Sequence, residues 1–224
     1  MKKIINNPKD FNDNLISLIK NVKINNYYIK NKEDFRDQIL EQIKPEDHVL
    51  DIGKAMRDKH SEINCNILET LDVNDFGDYP DIICDICSNI QGLENKYDKI
   101  ICIAILEHVY DPFKAVENLK IMLKDKGIMF GMVPYLYHYH APKNLKYQDY
   151  FRFSKDALAY LFKDYSFVEL YPVRGRLSSS FNLMFAGRWK NYMEKTKINI
   201  LLDKFSSDKK NSEQCSGFYF IVKK

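Results

Sequence analysis

Between Val49 and Val173 the chain alternates short, almost wholly apolar runs with segments whose apolar residues recur at helical spacing. No other feature limits the fold as tightly. A strand that is apolar at nearly every position needs cover on both faces. Strand and helix in alternation therefore predict a largely parallel sheet with helices on both sides. The strands read as Val49 to Gly53, Asn66 to Leu71, Asp81 to Cys84, Lys99 to Ala104, Ile128 to Val133 and Phe167 to Val173, with a seventh from Gly217 to Val222. Asp111, followed by Pro112, caps a helix to Leu123 whose buried side is expected to carry Phe113, Val116, Leu119, Ile121 and Leu123. Ser154 caps another through Phe162. Ahead of the first strand, Phe11, Leu15, Leu18 and Ile19 have helical spacing, and a second helix spans Asn31 to Ile43, ended by Pro45. Ser178 to about Phe205 reads as irregular or helical. The expectation is one domain over residues 1–224, with a helical extension at 1–43 and an α/β core at 44–224.

Composition excludes several classes. Hydrophobic residues make up 45% of the 224, enough for a sizeable core, and the net charge of +3 is nearly balanced. The basic residues are dispersed among acids, so no nucleic-acid partner is expected. No apolar run reaches membrane-spanning length, and Met1-Lys2-Lys3 is followed by no apolar signal region, so a cytoplasmic protein without a membrane partner is expected. The five cysteines are odd in number and mostly sit in apolar runs, which reads as reduced, buried thiols. Cys84 and Cys87 form a C-x-x-C without a second pair at zinc spacing, and no metal is expected.

Asp51-x-Gly53 closes the first strand. A glycine there lets backbone approach a ligand where a side chain would obstruct it. Asp72 follows about 20 residues later at the end of the second strand, where a carboxylate can accept from both hydroxyls of a ribose. Leu50-Asp51-Ile52-Gly53, Leu71-Asp72-Val73, Cys84-Asp85-Ile86, Leu106-Glu107-His108-Val109 and Gly127-Ile128-Met129-Phe130, in this order and at this spacing, resemble the motifs of class I S-adenosylmethionine-dependent methyltransferases. Val133-Pro134-Tyr135-Leu136-Tyr137-His138-Tyr139-His140 and Asp149-Tyr150-Phe151-Arg152-Phe153-Ser154 resemble one bacterial subgroup, often associated with surface-polysaccharide biosynthesis. The likeness covers about Ile43 to Val173; the first 30 residues and 178–214 match nothing specific.

The resemblance implies a Rossmann-like, seven-stranded, mostly parallel sheet with the last strand antiparallel. It implies S-adenosylmethionine as methyl donor and S-adenosylhomocysteine as product. Asp51, Gly53, Asp72, Asp85, Ile86 and Ile103 are then expected at the donor, with Asp85 and Ile86 at the adenine. The segment 134–153 lies on the acceptor side. His140 matches the family's histidine and is the first candidate to take a proton, with His108 either catalytic or orienting the loop. Tyr135, His138, Asp149, Tyr150 and Arg152 are expected to bind a small acceptor, a sugar or phosphate-bearing metabolite. For Asp149 and Arg152 two readings stay open: they pair with each other, or Arg152 grips an anionic acceptor. The stretch Tyr150 to Phe153 reads equally as a structural turn. Tyr135, Tyr137, Tyr139, Tyr147 and Tyr150 either surround a cationic or sugar ligand or pack the loop.

One departure stands out. The family's glycine-rich loop reads here Gly53-Lys54-Ala55-Met56-Arg57, with only its first glycine kept. It leaves a non-catalytic, donor-binding partner subunit as the alternative to an enzyme. A nicotinamide-dependent oxidoreductase is a third reading, disfavoured by the missing G-x-G-x-x-G. A monomer or homodimer is expected.

Overall fold

A computed structural model describes residues 16–17, 22–24, 32–141, 143–185, 196, 198–205 and 213–224. The helical pattern expected at Phe11, Leu15, Leu18 and Ile19 lies outside them. The strands are β1 Lys23–Ile24, β2 His48–Ile52, β3 Ile67–Asp72, β4 Ile82–Ile83, β5 Tyr97–Ile103, β6 Leu123–Pro134, β7 Phe167–Val173 and β8 Gly217–Lys223. The helices are α1 Lys32–Gln42, α2 Pro112–Met122, α3 Lys155–Leu161, α4 Arg176–Met184 and α5 Ile198–Phe205.

The strands form one sheet in the order β1-β7-β8-β6-β5-β2-β3-β4. β8 runs antiparallel between β6 and β7, and the other pairings are parallel. The expected α/β architecture is therefore present, with an eighth strand added. Lys23–Ile24 pairs with the open edge of β7, Lys23 opposite Glu169, and their side chains form an ion pair of 2.5 Å. Two residues are too few to show a period of two, so this segment was hidden inside the expected helical extension.

Alternation along the central strands sorts side chains to two faces, as the pleat requires. Leu50, Ile52, Ile100, Cys102, Phe218 and Phe220 pack with α2 and α3 on one face. Val49, Ile101, Ile103, Phe130, Tyr219 and Ile221 pack with Phe35 and Ile39 of α1 on the other. Asp111 caps α2 by accepting from the Lys114 amide at 3.0 Å, and Ser154 caps α3 through the Ala157 amide. The buried side of α2 is rotated from the expected one. Ala115, Val116, Asn118, Leu119 and Met122 are buried, whereas Phe113 and Ile121 are exposed. The buried face includes Asn118, whose side-chain amide donates to the carbonyls of Ile86 and Ser88. No helix among the described residues is long and apolar enough to cross a membrane.

Candidate functional site

Four neighbouring parallel strands, β4, β3, β2 and β5, end on the same edge of the sheet. Ligands in such sheets bind beyond the carboxyl ends. Gly53 leaves β2 there with φ +68°, its amide donating to the Leu71 carbonyl at 2.8 Å. A Cβ on Gly53 would meet Cδ1 of Ile105 at 2.6 Å. The turn needs further left-handed residues, and Lys54 (φ 48°) and Arg57 (φ 50°) supply them without being glycine. Both are exposed, while Ala55 and Met56 between them are buried against the α1 face.

Asp51 is completely buried and does not reach the edge. Its carboxylate accepts from the Ala55 amide at 2.9 Å and the Met56 amide at 3.4 Å, and it lies 2.9 Å from Nδ1 of His60. It shapes the turn from beneath, so the turn backbone it holds, and not an exposed carboxylate, is what it offers at the strand ends. Arg36 of α1, buried, donates to the Ala55 carbonyl at 3.0 Å from the other side. Neither His60 nor Arg36 has a sequence signal, because both reach the turn only through folding.

Asp72 is half-buried at the end of β3. Its Oδ1 accepts from the backbone and side-chain amides of Asn74, and the Tyr79 hydroxyl is 3.5 Å from Oδ2. Burial, then Asp72 and Asp51, raises the pKa of Tyr79. Asp85 accepts from the Cys87 amide at 2.8 Å and from the Tyr110 hydroxyl at 2.9 Å. That bond is the main reason the Tyr110 hydroxyl is pushed up to about 12. Ile86 and Ile103 are buried to 4% and 6% exposure, so each offers only an edge to a ligand. The C-x-x-C holds two thiols that donate to backbone carbonyls, Cys84 to Asp85 and Cys87 to Asp111. Burial raises both thiol pKa values, that of Cys87 to about 11.

The segment after β6 arches back over this edge. Tyr150 and Phe151 donate to the Glu107 carbonyl, Lys146 donates to the Asn74 side chain at 3.1 Å, and the Tyr147 ring lies 4.9 Å from that of His108. Tyr147, its pKa raised chiefly by burial, sits within electrostatic reach of Asp72, Glu107 and Arg57. Asn74 and Tyr147 thus tie the loops at the strand ends to the arching segment, a role only the fold reveals.

His140 lies with Glu107 and His108. Nε2 of His140 is 3.7 Å from Oε1 of Glu107, and Nε2 of His108 is 3.9 Å from it. The Glu107 carboxylate raises the pKa of His140 above its ordinary value, against desolvation. Asp149 and Arg152 pair with each other. Arg152 grips both carboxylate oxygens at 2.5 and 2.6 Å and donates to the carbonyls of Tyr137, His138 and Phe151. All five N–H groups of the guanidinium are thereby used. Arg152 is a brace for the loop, which is the first of the two readings the sequence left open. Its charge also draws the Asp149 carboxyl down to about 2. His138 stacks on Tyr137 with centroids 4.2 Å apart. Tyr135 leans on Phe218 at 6.4 Å, while Tyr139 and Tyr150 remain exposed. The aromatic cluster is therefore divided between loop packing and open surface.

No family model matches the chain, and no curated protein does. Among solved structures it is similar to the [4+2]-cyclase SpnF, with 13% identity over 97% of this chain and 93% of that one and a TM-score of 0.54. It is also similar to an S-adenosylmethionine-dependent methyltransferase from Mesorhizobium loti (9% identity, 84% and 95% covered, TM-score 0.53). One from Methanosarcina mazei gives 12% identity, 84% and 96% coverage and a TM-score of 0.51. The fold is the one found in S-adenosylmethionine-dependent methyltransferases. A cyclase among these neighbours shows that the fold by itself does not name the reaction.

Proposed function

We propose that the chain transfers a methyl group from S-adenosylmethionine to an oxygen or nitrogen of a small acceptor, releasing S-adenosylhomocysteine. The observation that carries this reading is the placement of Gly53, Asp72 and Asp85 at the carboxyl ends of three adjacent parallel strands. The donor supplies an electrophilic methyl group; alignment and desolvation fall to this chain. Oδ2 of Asp72 keeps capacity to accept from ribose hydroxyls beside its long contact to Tyr79. Asp85, which Tyr110 now caps, is the acceptor for an adenine amino group, with Ile86 beside the ring. Holding the acceptor in line with the methyl group is worth about 7–11 kcal/mol at best. The Glu107–His108–His140 cluster faces the acceptor side and is where we place activation of the nucleophile.

The alternative of a non-catalytic binder drew on the lost glycines. Lys54 and Arg57 take left-handed conformations with exposed side chains, Lys54 lying over the Tyr79 ring, which keeps the turn in shape for a donor and removes the reason for that alternative. Because Arg152 is fully engaged, an uncharged hydroxyl-bearing acceptor such as a sugar suits this site better than a phosphate. Sugar precursors of bacterial surface polysaccharides are the first acceptors to assay.

Calorimetry tests the donor step. Saturable binding of S-adenosylhomocysteine is expected, weakened roughly 10- to 100-fold in Asp72→Ala, as for loss of hydrogen bonds to a charged group. No binding at millimolar concentration would remove the proposal.

A further inference from the structure

We propose that Glu107, His108 and His140 together bind a first-row divalent transition-metal ion. Glu107 and His108 lie on the short turn Leu106–His108 after β5, and His140 on the segment after β6. One ligand atom from each residue lies within 4.8 Å of the other two. Oε1 of Glu107 is 3.7 Å from Nε2 of His140 and 3.9 Å from Nε2 of His108, too far for a hydrogen bond in either case. Metal–ligand bonds of about 2.0–2.2 Å place tetrahedral ligand atoms roughly 3.4 Å apart, so each Glu107–histidine pair need close by only about half an ångström, and the two histidines by no more than about 1.4 Å.

The rings are already turned for this task. Nδ1 of His108 is 2.7 Å from the Gln148 carbonyl, which can only accept, so Nδ1 carries the proton. Nδ1 of His140 faces the His138 carbonyl and the Asp149 carboxylate, each at 3.2 Å. Nε2 of each ring is then the nitrogen nearest Glu107. Metal-bound histidines hold their second nitrogen in this way, and Arg152 locks Asp149 in place to do it.

A separate observation points to the same ion. Glu107 is 1% exposed, and its Oε2 has no hydrogen-bond partner among the described residues. A buried carboxylate without full partners is costly; the imidazoles face Oε1, and an ion there would offset the charge of the carboxylate, reaching Oε2 as well if bound through both oxygens. A proton on Nε2 of His140 is the competing occupant, but 3.7 Å is a poor distance for its hydrogen bond. Two imidazoles favour zinc, iron, nickel or copper over magnesium, calcium or manganese, with cobalt as a spectroscopic stand-in for zinc, and three protein ligands leave positions open. This departs from the expectation of no metal: Glu107 and His108 are adjacent, but His140 joins them from a separate segment, and the set forms no recognisable metal spacing.

The cluster adjoins the donor turn, since Ile105, two residues before Glu107, is the side chain facing Gly53. A hydroxyl bound to such an ion ionises more readily. That use of the ion rests on the methyl-transfer reading; the binding itself does not.

The test is titration of the metal-stripped full-length protein with Co2+, followed by visible absorption. Saturation at one equivalent is expected, with affinity at least tenfold weaker in the His108→Ala/His140→Ala double variant. Circular dichroism checks the fold of the variant, and the single His140→Gln replaces it if the double variant does not fold. Absence of saturable Co2+ binding, or unchanged affinity in the folded variant, overturns the site. Calorimetry with S-adenosylhomocysteine on the same samples separates the two ideas. Co2+ bound without it leaves the metal site standing and the methyltransferase reading lost; the converse result does the reverse.

Discussion

At Gly53 two constraints coincide, a left-handed backbone and a side chain, Ile105, where a Cβ would lie. Gly53→Ala is therefore expected to cost about 1–2 kcal/mol from the backbone, plus the displacement of Ile105. Adding Ile105→Val removes the clashing Cδ1 and should restore only the second part. Urea denaturation of the single and double variants measures both, and full recovery in the double would show that the backbone term is absent. Lys54 and Arg57 bear the same kind of strain, of order 1–3 kcal/mol each. What holds them is Asp51, which takes two amides of the turn while Arg36 takes its carbonyl. The turn is thus shaped by buried partners in place of glycines.

At the scale of elements, α2 does more than cover the sheet. Asn118, 2% exposed, donates through Nδ2 to the carbonyls of Ile86 and Ser88 at 2.8 and 2.9 Å. It ties the loop carrying Asp85 to the helix. Asn118→Ala leaves the buried Ile86 carbonyl unpaired and should lower stability by about 1–3 kcal/mol. It should also weaken S-adenosylhomocysteine binding by loosening Asp85, which calorimetry on the folded variant would register. A loss of stability with unaltered donor affinity would confine Asn118 to a packing role. The segment after β6 is an element of the same kind. It has no regular structure, yet bonds to Glu107 and Asn74 stretch it across the strand ends.

Across the whole molecule, the two edges of the sheet have different work. The carboxyl ends carry the candidate chemistry. The opposite side is fastened by ion pairs and hydrogen bonds: Glu69 with His48, Lys96 and Tyr97, and Asp98 with Lys124 and the His48 amide. Burial alone would raise the pKa values of Glu69 and Asp98, but their donors outweigh it and lower both. The hydroxyl and amide of Thr70 lower that of Asp81. A carboxylate lowered in the folded state adds stability above its unfolded pKa of roughly 4, lost as pH falls through the folded value. Urea midpoints should therefore be steady near neutrality and fall below about pH 4, less steeply in Asp81→Asn. A midpoint flat down to pH 3 would contradict this.

The alternating strands and helices, the caps at Asp111 and Ser154, and the carboxylates Asp72 and Asp85 beside strand ends were legible in the residues alone. All of these are local: hydrophobic period, capping chemistry and turn residues act within a few positions. The pairing of Lys23–Ile24 with β7, the buried face of α2 and the service of Asp51 under the turn were decided by the tertiary structure. So were the full engagement of Arg152 and the meeting of Glu107, His108 and His140. Each depends on which groups fold next to one another and which hydrogen bonds remain to be satisfied there, and neither quantity is written into the spacing of residues along the chain.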